Sequence, residues 1–337
     1  MKNSFIFSLM AGGIILSMAG CTKSSSSSSS DLVGNWLSAP DFGGNGRSEA
    51  VAFTIGDKTY LTGGVNDRTR YNDLWEYDVD RKYWVQKADF PGAARSSAVA
   101  FATTTVGFVG TGYDGTNMLN DFYQYDPSTN PWTKKADFPG TGRYDAVAFT
   151  LNKKGYVGTG YDGNYKNDLW QYDPASDEWI QKASLAGSKR SAATCFVLNN
   201  KAYIVSGNNN GAVLTDLWSY DDTSDNWTQM RKIYNYSDQT YDDNYTSIAR
   251  MNGVAFIMNN KAYISTGENG SIISSTWEYN DATDLWTQKT DFEGSARTGA
   301  VAFTLKSRGF VLTGRSGSLS YDNMYEFHPD EAKIDGD

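Results

Sequence analysis

Along most of the chain, apolar residues come in short alternating runs rather than at the i, i+3, i+4, i+7 spacing of a helix. AVAF-type and GYVGTG-type segments, rich in small, β-branched and aromatic side chains, are separated by Asn, Lys and Gly. LWQYD-type and EWIQKA-type segments follow, joined by a YDPAS-type turn. Each quartet of segments predicts four short strands with turns between them. No window outside the N-terminal leader carries a helical stripe, so an all-β chain with almost no helix is expected.

The quartet recurs with a period near 48 residues, and its copies register on several columns. Arginine stands at Arg47, Arg95, Arg143, Arg190, Arg250 and Arg297, and six residues after each comes a phenylalanine, from Phe53 to Phe303. A third column holds Tyr77, Tyr125, Tyr172, Tyr220, Tyr279 and Phe327. Seven residues beyond the first five of these stand Trp84, Trp132, Trp179, Trp227 and Trp286. One four-stranded sheet cannot bury both of its faces, whereas six stacked radially can, which is the propeller solution. Past Phe327 the corresponding position is Ile334, with no tryptophan. The segment GNWLSAPDF, with Trp36, matches KYWVQKADF and NPWTKKADF, so the N-terminal strand is expected to complete the last blade and close the ring.

These columns resemble the kelch repeat from Asn35 to about Pro329, through the arginine before strand one, the glycine ending strand two and the spaced aromatic pair. The resemblance implies an all-β, six-bladed kelch propeller of the galactose oxidase-type superfamily, with four antiparallel strands per blade. Only Gly63-Gly64 shows the usual Gly-Gly; the other copies read Thr111-Gly112, Thr159-Gly160, Ser206-Gly207, Thr266-Gly267 and Thr313-Gly314. The second glycine, which survives throughout, is the one expected to need a positive φ. Residues 1–20 read as a signal peptide, 21–31 as a tether, 32–330 as the propeller and 331–337 as a tail.

The leader carries Lys2, an apolar run from Phe5 to Leu16, and SMAG before Cys21. The run is shorter than the roughly 20 residues of a spanning helix. SMAGC resembles the lipobox of bacterial lipoproteins, which implies export, lipidation of Cys21 and an outer-membrane location on the periplasmic or cell-surface side. The serines from Ser24 to Ser30 then form a flexible tether. A formal net charge of −9 disfavours nucleic acid and anionic lipid surfaces, so membrane contact is expected through the lipid anchor only. A monomer is expected.

With Cys21 lipidated, Cys195 is left alone, in a column otherwise held by Ala52, Ala100, Ala148, Ala255 and Ala302. It reads as a buried small residue rather than a nucleophile. The single histidine, His328, supplies neither a zinc set nor a Ser/His/Asp arrangement. It also falls short of the two-histidine copper site of the radical oxidases that share the repeat. No cofactor, metal or catalytic residue is assigned. The YDG motifs at Tyr113–Gly115 and Tyr161–Gly163 lack a full calcium loop and read as tight turns.

Repeated charge is the sharper signal. Asp41, Asp89, Asp137 and Asp291 each lie six residues before an arginine and are the expected partners of Arg47, Arg95, Arg143 and Arg297. Arg190 has Ser184 at that place, and Arg250 follows an interruption in which the repeat spacing grows to 60 residues, so these two are expected to hold an external anion. The surplus, Arg231 to Ser247, is expected to overhang the channel mouth. It would present Tyr234, Tyr236, Tyr241, Tyr245, Asp242 and Asp243 to a glycan or an extracytoplasmic protein. The expected activity is binding. The alternative is a sugar-modifying enzyme resembling the kelch sialate mutarotases (N-acetylneuraminate epimerases), with Arg190 or Arg250 on a sugar carboxylate.

Overall fold

The computed structural model describes Met1 and residues 32–334. Cys21, the rest of the leader and the serine run lie outside the described residues. The chain divides into Met1–Asp31 and Leu32–Asp337, and the propeller occupies the second unit.

Among the described residues six antiparallel blade sheets follow in chain order, with two-stranded ribbons added in the last three blades at Asn208–Asn209 with Ala212–Val213, Glu268–Asn269 with Ser271–Ile272, and Arg315–Ser316 with Leu319–Ser320. The first blade is built from Ser48–Ile55, Lys58–Asn66, Leu74–Asp78 and Tyr83–Gln86, with Thr69–Arg70 as a short addition. The second runs from Val99–Ala102 to Trp132–Lys135, the third from Val147–Leu151 to Glu178–Lys182, and the fourth from Thr194–Leu198 to Asn226–Gln229. The fifth runs from Val254–Met258 to Leu285–Lys289. The sixth takes Val301–Leu305, Arg308–Leu312 and Met324–Ala332 from the C-terminus and Val33–Ala39 from the N-terminus. Trp36 lies opposite Phe327, the register that Trp84 has with Tyr77 in the first blade. Ring closure by the first strand is therefore as expected. The last strand reaches Ala332 and takes in part of the expected tail. Among the described residues the one helical element is the turn Thr240–Asp242.

The columns explain why neighbouring blades adhere. Phe53 stacks on Tyr60 of its own blade with centroids 5.2 Å apart, and Tyr60 meets Tyr125 of the next blade at 5.3 Å. Glycine at the start of strand two admits this contact: a Cβ on Gly155 would lie 2.1 Å from the ring of Phe101 in the preceding blade. The aromatic pair is an inter-blade latch. Trp179 Nε1 donates to Ala136 O at 3.1 Å, while Tyr172 Oη donates to Asp177 Oδ1, which also accepts the Ala136 N–H. Trp132 and Trp227 repeat the indole link to Ala88 and Ala183. Each latch satisfies buried polar groups while covering large apolar rings.

Candidate functional site

The arginine column is internal. All six side chains are buried, and in the first four blades the guanidinium is gripped by an aspartate at the start of strand three. Arg47 pairs with Asp73, Arg95 with Asp121, Arg143 with Asp168, and Arg190 with Asp216 at 2.8 Å from both terminal nitrogens. The expected partners are thereby corrected. Asp137 instead pairs with Lys134, Asp89 accepts from Gln86, and Asp291 accepts from Ser274. Asp41 is exposed. The partner lies 25 or 26 residues on, because the loop between strands two and three folds back over the arginine. Trp75, Trp170 and Trp218 donate their indole N–H to the same carboxylates.

Arg190 was expected to lack an internal counter-ion, and Asp216 corrects that. Arg250 does lack a carboxylate, since Ser275 stands in the aspartate column. Its donors go instead to Ile248 O, Thr266 O, Ser275 O, Ser275 Oγ and Ser247 O. Burial pushes its pKa down to about 9. Neither guanidinium is presented to solvent.

The insert explains part of this substitution. Ser247 O accepts from Arg250 and Ser247 Oγ accepts from Trp277 Nε1, which are the two jobs the aspartate carboxylate does elsewhere. Part of the insert fills the seam between the fourth and fifth blades, where Ile233 and Tyr245, with Ile248 just beyond it, join a core with Trp277 and Trp286. Tyr245 Oη accepts from Trp286 N at 2.7 Å. Asp242 is fully buried and accepts from the backbone N–H groups of Tyr236 and Ser237. Tyr241 lies under the Arg231 guanidinium and against Tyr245. Tyr234 and Tyr236 pack edge to face, and Tyr236 is 64% exposed. Asp243 is exposed as well. Of the six insert residues assigned to a ligand, Tyr245 and Asp242 therefore serve the fold, while Tyr236 and Asp243 face solvent.

The asymmetric chemistry lies nearer the axis. Glu49, Ser97, Asp145, Ala192, Asn252 and Gly299, each two residues past its arginine, ring the channel mouth with φ between 51° and 62°. Glu49 N–H donates to Gly299 O, Ser97 to Glu49, Asp145 to Ser97, Ala192 to Asp145 and Asn252 to Ala192. Left-handed backbone at Glu, Ser and Ala is unfavourable by roughly 1 kcal/mol each, and this inter-blade chain of amides holds it. Two acids face the opening: Ser97 Oγ donates to Glu49 Oε2 at 3.1 Å, and Asp145 stands one blade further on. Burial, with Glu49 nearby, pushes the Asp145 pKa up to about 6 against the opposing pull of a Ser97 hydrogen bond.

Beside the acids runs a row of half-buried tyrosines. Tyr113 meets Tyr144 with centroids 5.7 Å apart, Tyr144 meets Tyr161 at 5.6 Å, and Tyr161 meets Tyr165 at 5.1 Å. The Arg70 guanidinium covers Tyr113 at one end, and Asn208 Nδ2 donates to Tyr165 Oη at the other. The YDG segments are turns, with Asp114 accepting from the N–H groups of Thr116 and Asn117. In the other blades these columns hold Ser48, Val65, Ser191, Asn208, Met251, Glu268, Thr298 and Arg315. That variation on an otherwise repeated frame was the signal available in the sequence.

Below the mouth, the axial channel is lined mainly by alanines and by Cys195, which is half-buried and hydrogen-bonds Ala148 O. Burial pushes its thiol up to about 11, so it stays protonated at neutral pH. Among the described residues no three His, Cys, Asp or Glu side chains come together as a metal set.

Repeated blades, an inward arginine ring and a loop-face mouth define a kelch-type propeller. The family model described as the KLHDC2/KLHL20/DRC7 Kelch-repeats domain matches residues 136–314, and the Kelch motif model matches residues 46–91. The chain belongs to the kelch-repeat proteins. The solved structure of YjhT is similar in fold, with a TM-score of 0.70 at 16% identity over 85% of this chain and 95% of that one. No curated protein sequence matches the chain.

Proposed function

We propose that this protein is a membrane-tethered kelch propeller whose loop face is a binding module for a glycan, with a protein ligand as the competing outcome. The observation that carries the reading is the tyrosine row Tyr113, Tyr144, Tyr161 and Tyr165 beside the Glu49 and Asp145 carboxyls. Aromatic faces pack against the apolar faces of sugar rings, and carboxylates accept sugar hydroxyls. Tyr236, Tyr234 and Asp243 offer an outlying contact on the insert. Arg190 and Arg250 serve the frame.

A glycan and peptide array probed with the purified protein tests this. Replacing both Tyr144 and Tyr161 by Ala is expected to weaken glycan binding about fivefold or more, the loss of roughly 1–3 kcal/mol from stacked rings. Binding by the double variant at wild-type strength, or hits confined to peptides, would count against a glycan site. The pH profile adds a second readout. Asp145 ionises near 6, so affinity is expected to fall as pH drops through that value and the acceptor becomes protonated. Its effect on stability has the opposite sign. A carboxyl whose pKa is raised by folding binds more protons in the native state, so its contribution declines as pH rises from about 4 to 6.

The second reading is a sugar-modifying enzyme, favoured by the same observation that a carboxyl ionising near 6 stands beside a second acid at the mouth. Accelerated anomer exchange in proton NMR would support catalysis, and exchange at the uncatalysed rate would leave binding alone. The tether rests on the leader: wild-type protein is expected in the membrane fraction and Cys21→Ala in the soluble one. Equal membrane association of both would rule out the lipid anchor.

A further inference from the structure

We propose that the sixth blade holds a small monoanion of carboxylate size against Nη2 of Arg297, the nitrogen left without an acceptor where Asn323 replaces the aspartate of four other blades. The argument is a comparison among six copies of one arrangement. In the first four blades both terminal guanidinium nitrogens meet a carboxylate between 2.5 and 2.9 Å away. The fifth has lost the acid, and Ser247 and Ser275 accept the hydrogen bonds instead. The sixth has lost it too: Asn323 occupies the column, and one guanidinium nitrogen is left without an acceptor.

Arg297 is fully buried. Its Nε donates to Ser295 O and its Nη1 to Thr313 O, both at 2.9 Å, while Nη2 has no partner. Asn323 stands in the aspartate column, and its Oδ1 is likewise buried without a partner, so the amide has not assumed the role of the acid. The walls are aromatic: Tyr321, Phe292 and Tyr325 lie 4.4, 4.8 and 5.9 Å from the guanidinium. Tyr325 also replaces the tryptophan whose indole N–H secures the carboxylate in the first, third and fourth blades. Burial lowers the Arg297 pKa to about 10 against the opposing pull of Tyr325, Tyr321 and the Asp322 carboxylate. A buried cationic donor with no acceptor is among the most unfavourable groups a fold can retain, and such groups commonly mark an ion or water. An anion at Nη2 supplies the missing acceptor and the missing charge together.

The test uses formate as the probe, because it is an aspartate carboxylate without the chain. Thermal unfolding of the full chain is followed at constant ionic strength, with formate replacing a bulky sulfonate. The wild-type midpoint is expected to rise by about 2 °C or more and to saturate, as mass action on a native-state site requires. Asn323→Asp, which restores the acid of the other blades, is expected to melt higher in the sulfonate and to gain nothing from formate. Chloride in a third arm asks whether any small monoanion fits; a saturable rise there also supports the site. A formate response equal in wild type and Asn323→Asp, no response in either, or a lower midpoint for Asn323→Asp would overturn the proposal. None of these outcomes bears on the glycan reading, which concerns a different surface.

Discussion

Replacing Arg190 by Ala is expected to destabilise the propeller by roughly 3–5 kcal/mol, because it leaves the Asp216 carboxylate desolvated without its counter-ion. Arg190 contributes no surface to solvent, and it binds Asp216 twice, Ser206 O and Ser188 O. Burial works to raise the Asp216 pKa, and the guanidinium more than offsets it, holding the carboxyl below its ordinary range. A depressed carboxyl adds stability above its unfolded pKa and loses it as pH falls through the lowered folded value. The wild-type protein is therefore expected to weaken below about pH 4 by an amount that Arg190→Ala does not show. For a chain of this size the loss lowers the melting midpoint by on the order of 10 °C. Calorimetry at pH 7 checks it. A midpoint within about 2 °C of wild type would return Arg190 to the candidates for an external anion.

Repetition made the strands, the blade number and the closing strand legible, because the same columns appear in every copy and the missing tryptophan at the C-terminus reappears as Trp36. The arginine partners were not legible by proximity. Asp137 is six residues from Arg143, yet its side chain turns to Lys134, whereas Asp168 is carried back by the loop after strand two. A further column, at Asp73, Asp121, Asp168 and Asp216, was present in the sequence. It breaks only at Ser275 and Asn323, and those two breaks separate a compensated arginine from an uncompensated one.

The inward side chains of the insert were illegible for a similar reason. Departure from the repeat identifies a segment, but it does not say which tyrosines turn inward. Tyr245 Oη accepts from the Trp286 amide, and Tyr236 faces solvent. The tyrosine row depended on contacts between columns, Tyr113 with Tyr144 across neighbouring blades and Tyr144 with Tyr161 within the third, which reading one column at a time does not assemble.

The second large effect concerns closure. Trp36 is 1% exposed, lies 4.6 Å from Phe327 and 4.9 Å from Phe292 between ring centroids, and donates its indole N–H to Thr290 O. It comes from a strand that joins the far end of the chain through Val33↔Ala332 to Ala39↔Met324. Trp36→Ala removes a large buried ring from the seam between the fifth and sixth blades and is expected to destabilise the fold by roughly 3–5 kcal/mol. Ile180→Ala, at an outer-strand side chain 56% exposed, is expected to stay within about 0.5 kcal/mol.

Equilibrium urea unfolding of these two variants beside wild type tests closure most directly. A single cooperative transition, with Trp36→Ala shifted to much lower urea and Ile180→Ala unmoved, is the predicted result. A Trp36→Ala curve that overlays Ile180→Ala would mean that the first strand is a dispensable appendage and the ring is not sealed by it.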